Sequence, residues 1–280
     1  MNLTTVSGAV LILVSAFLAV LTSTPAAQTA AREPSFIRAS STAPDTNVQL
    51  SALITDVRKG ADAFVFLSGG ASKMREDHQR QLLAIFDALS LLTKAGHRLA
   101  VGDGGTKAGI MEAAGLARKA SGHAFPLIGL APAAEIPPRG LTPVDPNHSH
   151  IVAVDNPAAP AGDAWGSETG TMYWFFAKLA EGRPSVTIVA NGGGITLAEV
   201  EANVRAGRRM ILIEGSGRAA DALVSLLKKT TPAEAEVRAL RDRAEKATLM
   251  RRPELFQVLA LQTGAPGLRD AIVAAIGGTK

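Results

Sequence analysis

From residue 61 onward, short apolar runs rich in branched residues alternate with longer segments of helical period, and this alternation restricts the fold more than any other feature. Ala63–Leu67, His97–Val101, Leu127–Leu130, His150–Val154, Val186–Ala190 and Met210–Ile213 have the length and composition of buried strands. Between them, Leu82, Leu83, Phe86 and Leu89 share one helical face, and Lys107–Lys119, Glu168–Ala180 and Thr196–Val204 read as helices. Repeated units of this kind predict an α/β fold with a Rossmann-like parallel sheet flanked by helices, here over residues 49–230. No strand is expected after Thr231. Ala233–Met250, Pro253–Gln262 and Leu268–Ile276 read as helices, so residues 231–280 are expected to form a helical extension packed on the same domain.

Composition narrows the chemistry. With 47% apolar and 19% charged residues among 280, the chain can bury a large core. The formal charge of +4 is spread along the chain and only 4% of residues are aromatic, which argues against a dedicated nucleic-acid protein. The absence of cysteine excludes disulfides, thiolate metal sites and a cysteine nucleophile.

The first side-chain charge is Arg32, and an apolar run extends from Ala9 to Leu21. Residues 4–23 reach the roughly 20 residues that span a bilayer, and a charge on the C-terminal side would leave the rest of the chain in the cytoplasm. The alternatives are a cleaved signal peptide with export, although a basic n-region is lacking, and a mis-assigned start. Residues 32–48, rich in Ser, Thr, Ala and Pro, read as a linker.

Four glycine turns follow expected strands: Gly69-Gly70-Ala71-Ser72, Gly104-Gly105-Thr106, Gly192-Gly193-Gly194 and Gly215-Ser216-Gly217. Glycine lets backbone N–H groups approach an anion closely, and the helix that follows adds unpaired donors and a positive dipole end. In a parallel sheet all four lie at the carboxyl edge, where open α/β folds bind ligands. Their convergence gives a candidate ligand-binding set of Gly69, Gly70, Ser72, Asp103, Gly104, Gly105, Thr106, Gly109, Asn191, Gly192, Gly193, Gly194, Thr196, Glu199, Gly215, Ser216, Gly217 and Arg218.

Individual residues carry alternatives. Glu199 is either the capping partner of Thr196 in a Thr-x-x-Glu box or a carboxylate for a ribose hydroxyl or general acid catalysis. Asp103 either orients Thr106 or meets the ligand. His148 and His150 would share a strand face, but no third metal ligand is evident, so ordinary polar contacts are expected and neither metal nor cofactor is implied. Arg218 would pair with a phosphate or be solvated. Trp165, Tyr173 and Trp174 are stacking surfaces or core. Arg238, Arg241, Arg243, Lys246, Arg251 and Arg252 are interleaved with acids and read as a solvated helix face.

Several stretches carry a family resemblance: Gly104-Gly105-Thr106-Lys107-Ala108-Gly109-Ile110-Met111, Ile128-Gly129-Leu130-Ala131-Pro132, Asp145-Pro146-Asn147-His148-Ser149-His150, Trp165-Gly166-Ser167-Glu168 and Gly215-Ser216-Gly217-Arg218-Ala219-Ala220-Asp221. Over about residues 48–276 the chain resembles the N-terminal cytosolic region of TRPM cation channels, and more specifically its stand-alone prokaryotic relatives in the SLOG (LSDAT) superfamily. The resemblance implies a Rossmann-like fold and a sensor for a nucleotide-derived ligand, since in some related channels this region binds ADP-ribose. It also implies an effector or membrane partner, and is compatible with a homo-oligomer. The superfamily includes the LOG phosphoribohydrolases, whose Pro-Gly-Gly-x-Gly-Thr-x-x-Glu motif is similar to Asn191–Glu199 at the two adjacent glycines, the threonine and the glutamate. Asn191 and Ile195 depart from it, and Glu168–Ala180 offers only Lys178 where those enzymes use an arginine. The implied alternative is N-glycosidic hydrolysis of a nucleoside monophosphate with Glu199 as the acid.

Overall fold

The computed structural model describes residues 33–70, 76–160 and 162–277. Eight strands form one sheet: β1 (Ser35–Ser40), β2 (Ala63–Gly69), β3 (Leu99–Asp103), β4 (Leu127–Pro132), β5 (His150–Asp155), β6 (Ser185–Ala190), β7 (Arg209–Glu214) and β8 (Phe256–Ala260). All neighbours are parallel, in the order β1-β5-β4-β3-β2-β6-β7-β8. The connecting helices are α1 (Val48–Gly60), α2 (Glu76–Ile85), α3 (Asp87–Lys94), α4 (Gly109–Ala120), α5 (Thr169–Ala180), α6 (Gly194–Arg205), α7 (Arg218–Lys228), α8 (Ala235–Lys246) and α9 (Gly264–Gly277).

Helices cover both faces, which is why the central strands are apolar throughout instead of alternating. Val65, Leu67, Val101 and Ile188 pack against α2, α3, α4 and α9 through Leu89, Ile110 and Ile272. On the opposite face Phe64 and Phe66 meet Leu53, Phe175 and Phe176, while Val189 and Leu212 meet Val200, Leu223 and Leu240. The Phe66 and Phe176 rings stack with centroids 4.1 Å apart. Gly102 on β3 makes this fit, because a Cβ there would lie 2.4 Å from the Phe176 ring.

The α/β reading holds, and all six expected strands are present with shifts of a few residues at their ends. Two expectations are corrected. Ser35–Ser40, within the stretch read as a linker, forms edge strand β1, whose only buried residue is Ala39. Phe256–Ala260, read as part of a helix, forms β8 beside β7. Both are short edge strands, where half-burial blurs the pattern that marks a strand. Helix α1 was not expected either. Among the described residues no helix is long and apolar enough to cross a membrane; residues 4–23 lie outside them.

Candidate functional site

From β2 the chain winds outward through β3, β4 and β5, and from β6 it winds the other way through β7 and β8. The strand order therefore reverses between β2 and β6, and the crevice above their carboxyl ends is where such sheets take ligands. Two of the four glycine turns meet there. A Cβ on Gly69 would lie 2.0 Å from the Ala190 carbonyl oxygen, and one on Gly70 would lie 3.2 Å from Gly192 Cα. The turns pack backbone to backbone.

Asn191 sets the path of the second turn. It adopts a left-handed φ of 54°, which asparagine tolerates and proline cannot adopt, so its replacement of the LOG proline is a change of backbone. Its Oδ1 accepts from Gly192 N–H (2.6 Å), and its own N–H donates to Ser216 Oγ (2.8 Å). Ala219 and Ala220, in the first turn of α7, donate to the carbonyls of Gly192 and Asn191. Those amides are consumed in holding the loop. The α6 N-terminus differs: Gly193 N–H reaches Thr196 Oγ1 (3.3 Å), and the first-turn amides beginning at Gly194 have no intrahelical partner.

Two guanidinium groups lie over this terminus. A Cβ on Gly193 would sit 3.1 Å from Arg218 Nη2, and one on Gly194 would sit 2.8 Å from Arg243 Nη1. Arg218 also pairs with Glu236 of α8, through Nε (3.0 Å) and Nη2 (2.9 Å) to Oε1. Arg243 is exposed, as expected for a solvated face, yet its guanidinium reaches the loop; it forms no ion pair among the described residues, whereas Arg241 on the same helix pairs with Glu245 at 3.2 Å. Sequence spacing could not reveal this, because α8 approaches the loop only through its packing on α7.

Glu199 projects inward from the second turn of α6 and accepts from Ser68 Oγ of β2. The capping-box reading is thus corrected: Thr196 turns back to Gly193, and Glu199 serves a different contact. Burial pushes the Glu199 carboxyl up to about 8, against the Ser68 hydrogen bond and with added repulsion from Glu168. Glu168 immediately precedes α5. Burial raises it to about 7, partly offset by hydrogen bonds from backbone N–H groups, with Glu135 adding repulsion. Its Oε2 is buried without a partner. Glu168 was not singled out from the sequence, where only its place in a family stretch marked it.

Behind Glu199 a polar chain crosses the sheet face. The Asn203 amide donates to Tyr173 Oη (3.0 Å) and to the Glu199 carbonyl (2.9 Å), and accepts from Thr187 Oγ1 (2.8 Å) and Arg208 Nη1 (2.7 Å). Arg208 lies over the Phe66 ring at 4.6 Å. Tyr173 and Trp174 pack on the core, but Trp165 is exposed, and the neighbouring Gly166 contacts Ile195 of α6. Lys178 is half exposed and directed at Glu181, 3.9 Å away.

A neutral buried carboxyl gives a signed pH dependence. The folded Glu199 pKa lies above its ordinary 4.5, so its contribution to stability is complete below pH 4.5 and is lost as pH rises through about 8. Thermal unfolding should show Tm falling over this range, and Glu199→Gln, which is neutral at every pH, should flatten the decline; an equally steep decline in the variant would contradict this.

The other two turns use backbone donors within the protein. In the β7 turn, Asp221 Oδ1 and Oδ2 accept from Gly215 N–H (2.7 Å) and Gly217 N–H (3.1 Å), filling the nest with an internal carboxylate, and Ser216 Oγ donates to the Ile213 carbonyl (2.6 Å). In the β3 turn, Gly105 N–H donates to Asp103 Oδ1 (2.7 Å), Gly105 packs on Gly129, and Thr106 bridges to Val144. Gly104 faces Met111, and Gly109 opens α4 with φ 52°. Asp103 does not orient Thr106. It holds buried His148, whose Nε2 lies 2.8 Å from Asp103 Oδ1 and whose Nδ1 lies 3.2 Å from Asp145 Oδ1. His148 precedes β5 and does not share a strand face with His150. Ser72 lies outside the described residues.

The parallel sheet and its reversal point, with a glycine turn beneath two arginines, define an α/β protein of Rossmann type. The chain belongs to the family described as SLOG in TRPM, prokaryote, whose model matches residues 62–265. Comparison with curated proteins gave no match.

Proposed function

We propose that this chain is a receptor for a nucleotide-derived, phosphate-bearing ligand of the ADP-ribose kind, seated above β2 and β6. The observation that carries this reading is the pairing of Arg218 and Arg243 over Gly193 and Gly194, at a helix N-terminus with unspent amides. The phosphate occupies that floor, the ribose lies toward Glu199 and Glu168, and exposed Trp165, whose neighbour Gly166 lies against Ile195 of α6, offers a stacking surface for a base. In this reading residues 4–23 tether the receptor to the membrane, with export after cleavage as the competing outcome; fractionation and protease protection of the C-terminus in intact cells separate the two.

One observation favours a second reading, hydrolysis of the N-glycosidic bond. Glu199, raised to about 8, holds its proton at neutral pH as a general acid must. Against it, no arginine from α5 reaches the site, and Lys178 is turned toward Glu181. Incubation of the purified protein with AMP or ADP-ribose, followed by chromatography, is expected to return both ligands intact. Release of free base or ribose phosphate that stops in Glu199→Gln would establish the enzyme and overturn the pure receptor.

A further inference from the structure

A cavity of about 650 Å³ lies at the opposite edge of the sheet, where β1, β4 and β5 begin, beneath α1 and the end of α4. Its volume falls in the range of small-ligand sites. The walls are apolar: Ile37, Leu53, Val57, Phe125 and Pro126, of which Leu53, Val57 and Phe125 are buried. Its titratable and charged lining is Asp56 on α1, Arg118 on α4, His123 just after α4 and His150 on β5. Asp56 is paired with Lys59 at 3.3 Å in an exposed position.

Two of these groups are fixed in orientation. Arg118 donates from Nε to the Phe125 carbonyl (2.8 Å) and from Nη1 to the Asn147 carbonyl (2.7 Å). Its Nη2 has no partner among the described residues and is not sealed in the core. Ser149 Oγ donates to the Leu127 carbonyl (2.9 Å) and accepts from Leu127 N–H (3.0 Å). Its one hydrogen is thereby committed, so its 3.0 Å contact with His150 Nδ1 requires the imidazole to donate from Nδ1. The neutral ring then carries its lone pair on Nε2. The cavity thus joins a fixed cationic donor and a basic nitrogen to apolar walls.

We propose that this cavity is a second ligand site, distinct from the glycine loops, which takes the carboxyl group of an amphipathic monocarboxylic acid. The carboxyl oxygens accept from Arg118 Nη2, the acid's proton resides on His150 Nε2, and the hydrocarbon lies along Ile37, Leu53 and Phe125. A carboxyl matches a donor beside a base; an alcohol lacks the charge for Arg118, and an amine is repelled by it. Burial, reinforced by the Arg118 charge on α4, lowers the His150 pKa and so favours the neutral ring when the cavity is empty, with Asp145 behind Arg118 and Asp56 and His123 at the rim. Binding therefore takes up a proton.

The test is titration calorimetry of the full chain with decanoate, decanol and decylamine below their aggregation limits. Decanoate is expected to bind at least about tenfold more tightly than either comparator, with affinity rising from pH 8 to pH 6. Arg118→Gln should abolish the preference. Because Arg118 also supports two loops, Ala52→Trp, which fills the cavity from an exposed position on α1, provides the second variant: it should fold normally and block decanoate. Equal binding of decanol, preference for decylamine, no decanoate binding, or undiminished binding in a folded Ala52→Trp protein would each overturn the proposal.

Discussion

Replacement of His148 by alanine is expected to cost about 3–5 kcal/mol of unfolding free energy, the range for breaking a buried ion pair by removing one partner. His148, Asp103 and Asp145 are all fully or almost fully buried, so without the imidazole two carboxylates would face each other away from water. The site cannot relax toward them: a Cβ on Gly115 would already lie 2.1 Å from Asp145 Oδ1. Burial alone would lower the His148 pKa, but the Asp103 charge and the hydrogen bonds to Asp103 and Asp145 overcome it and raise it to about 9. The folded value exceeds the ordinary 6.5; the stabilisation is therefore complete below pH 6.5 and is lost as pH climbs through about 9, by up to about 1.4 kcal/mol per pH unit. Urea unfolding of the wild type at pH 6, 7.5 and 9 should follow that slope. The alanine variant, which lacks the titrating imidazole, should not follow that slope between pH 6.5 and 9. A loss below about 1 kcal/mol at pH 6 would show that this cluster is not an ion pair.

The sequence exposed the sheet and its punctuation because the central strands are buried on both faces, and continuous apolar runs survive as a signal without any alignment. Edge strands β1 and β8 escaped for the opposite reason: each buries little, and Phe256–Ala260 is too short for its period to distinguish strand from helix. Glycine turns show where a loop must be tight, not what its amides bind. Gly215 and Gly217 donate to Asp221, and Gly105 donates to Asp103, so two of the four turns are filled from within. A carboxylate four to six residues downstream, as Asp221 is, was the available clue. Arg243 and Glu168 were invisible as site residues for a geometric reason: each reaches the crevice from an element distant in sequence, and only the packing of α8 on α7 or the approach of the loop before α5 brings it there.

If phosphate recognition rests on the two arginines and the α6 amides, Gly193→Asp should abolish AMP binding, by about 100-fold or more, without lowering stability. A Cβ at this position would lie 3.1 Å from Arg218 Nη2, so the new carboxylate would be delivered to the guanidinium and to the N-terminus of α6. It would do within the molecule what the ligand phosphate does from outside, and a helix N-terminus favours such a charge. Arg243→Ala removes one charge-assisted contact, worth about 1.5–3 kcal/mol, and should weaken binding by about 10- to 150-fold. Thermal shift and calorimetry with AMP distinguish the causes: Gly193→Asp should melt at or above the wild-type temperature while binding nothing. If it melts well below the wild type, the loop has been broken and steric disruption explains the loss. Undiminished AMP binding in a folded Gly193→Asp protein would move the ligand away from the β2 and β6 crevice altogether.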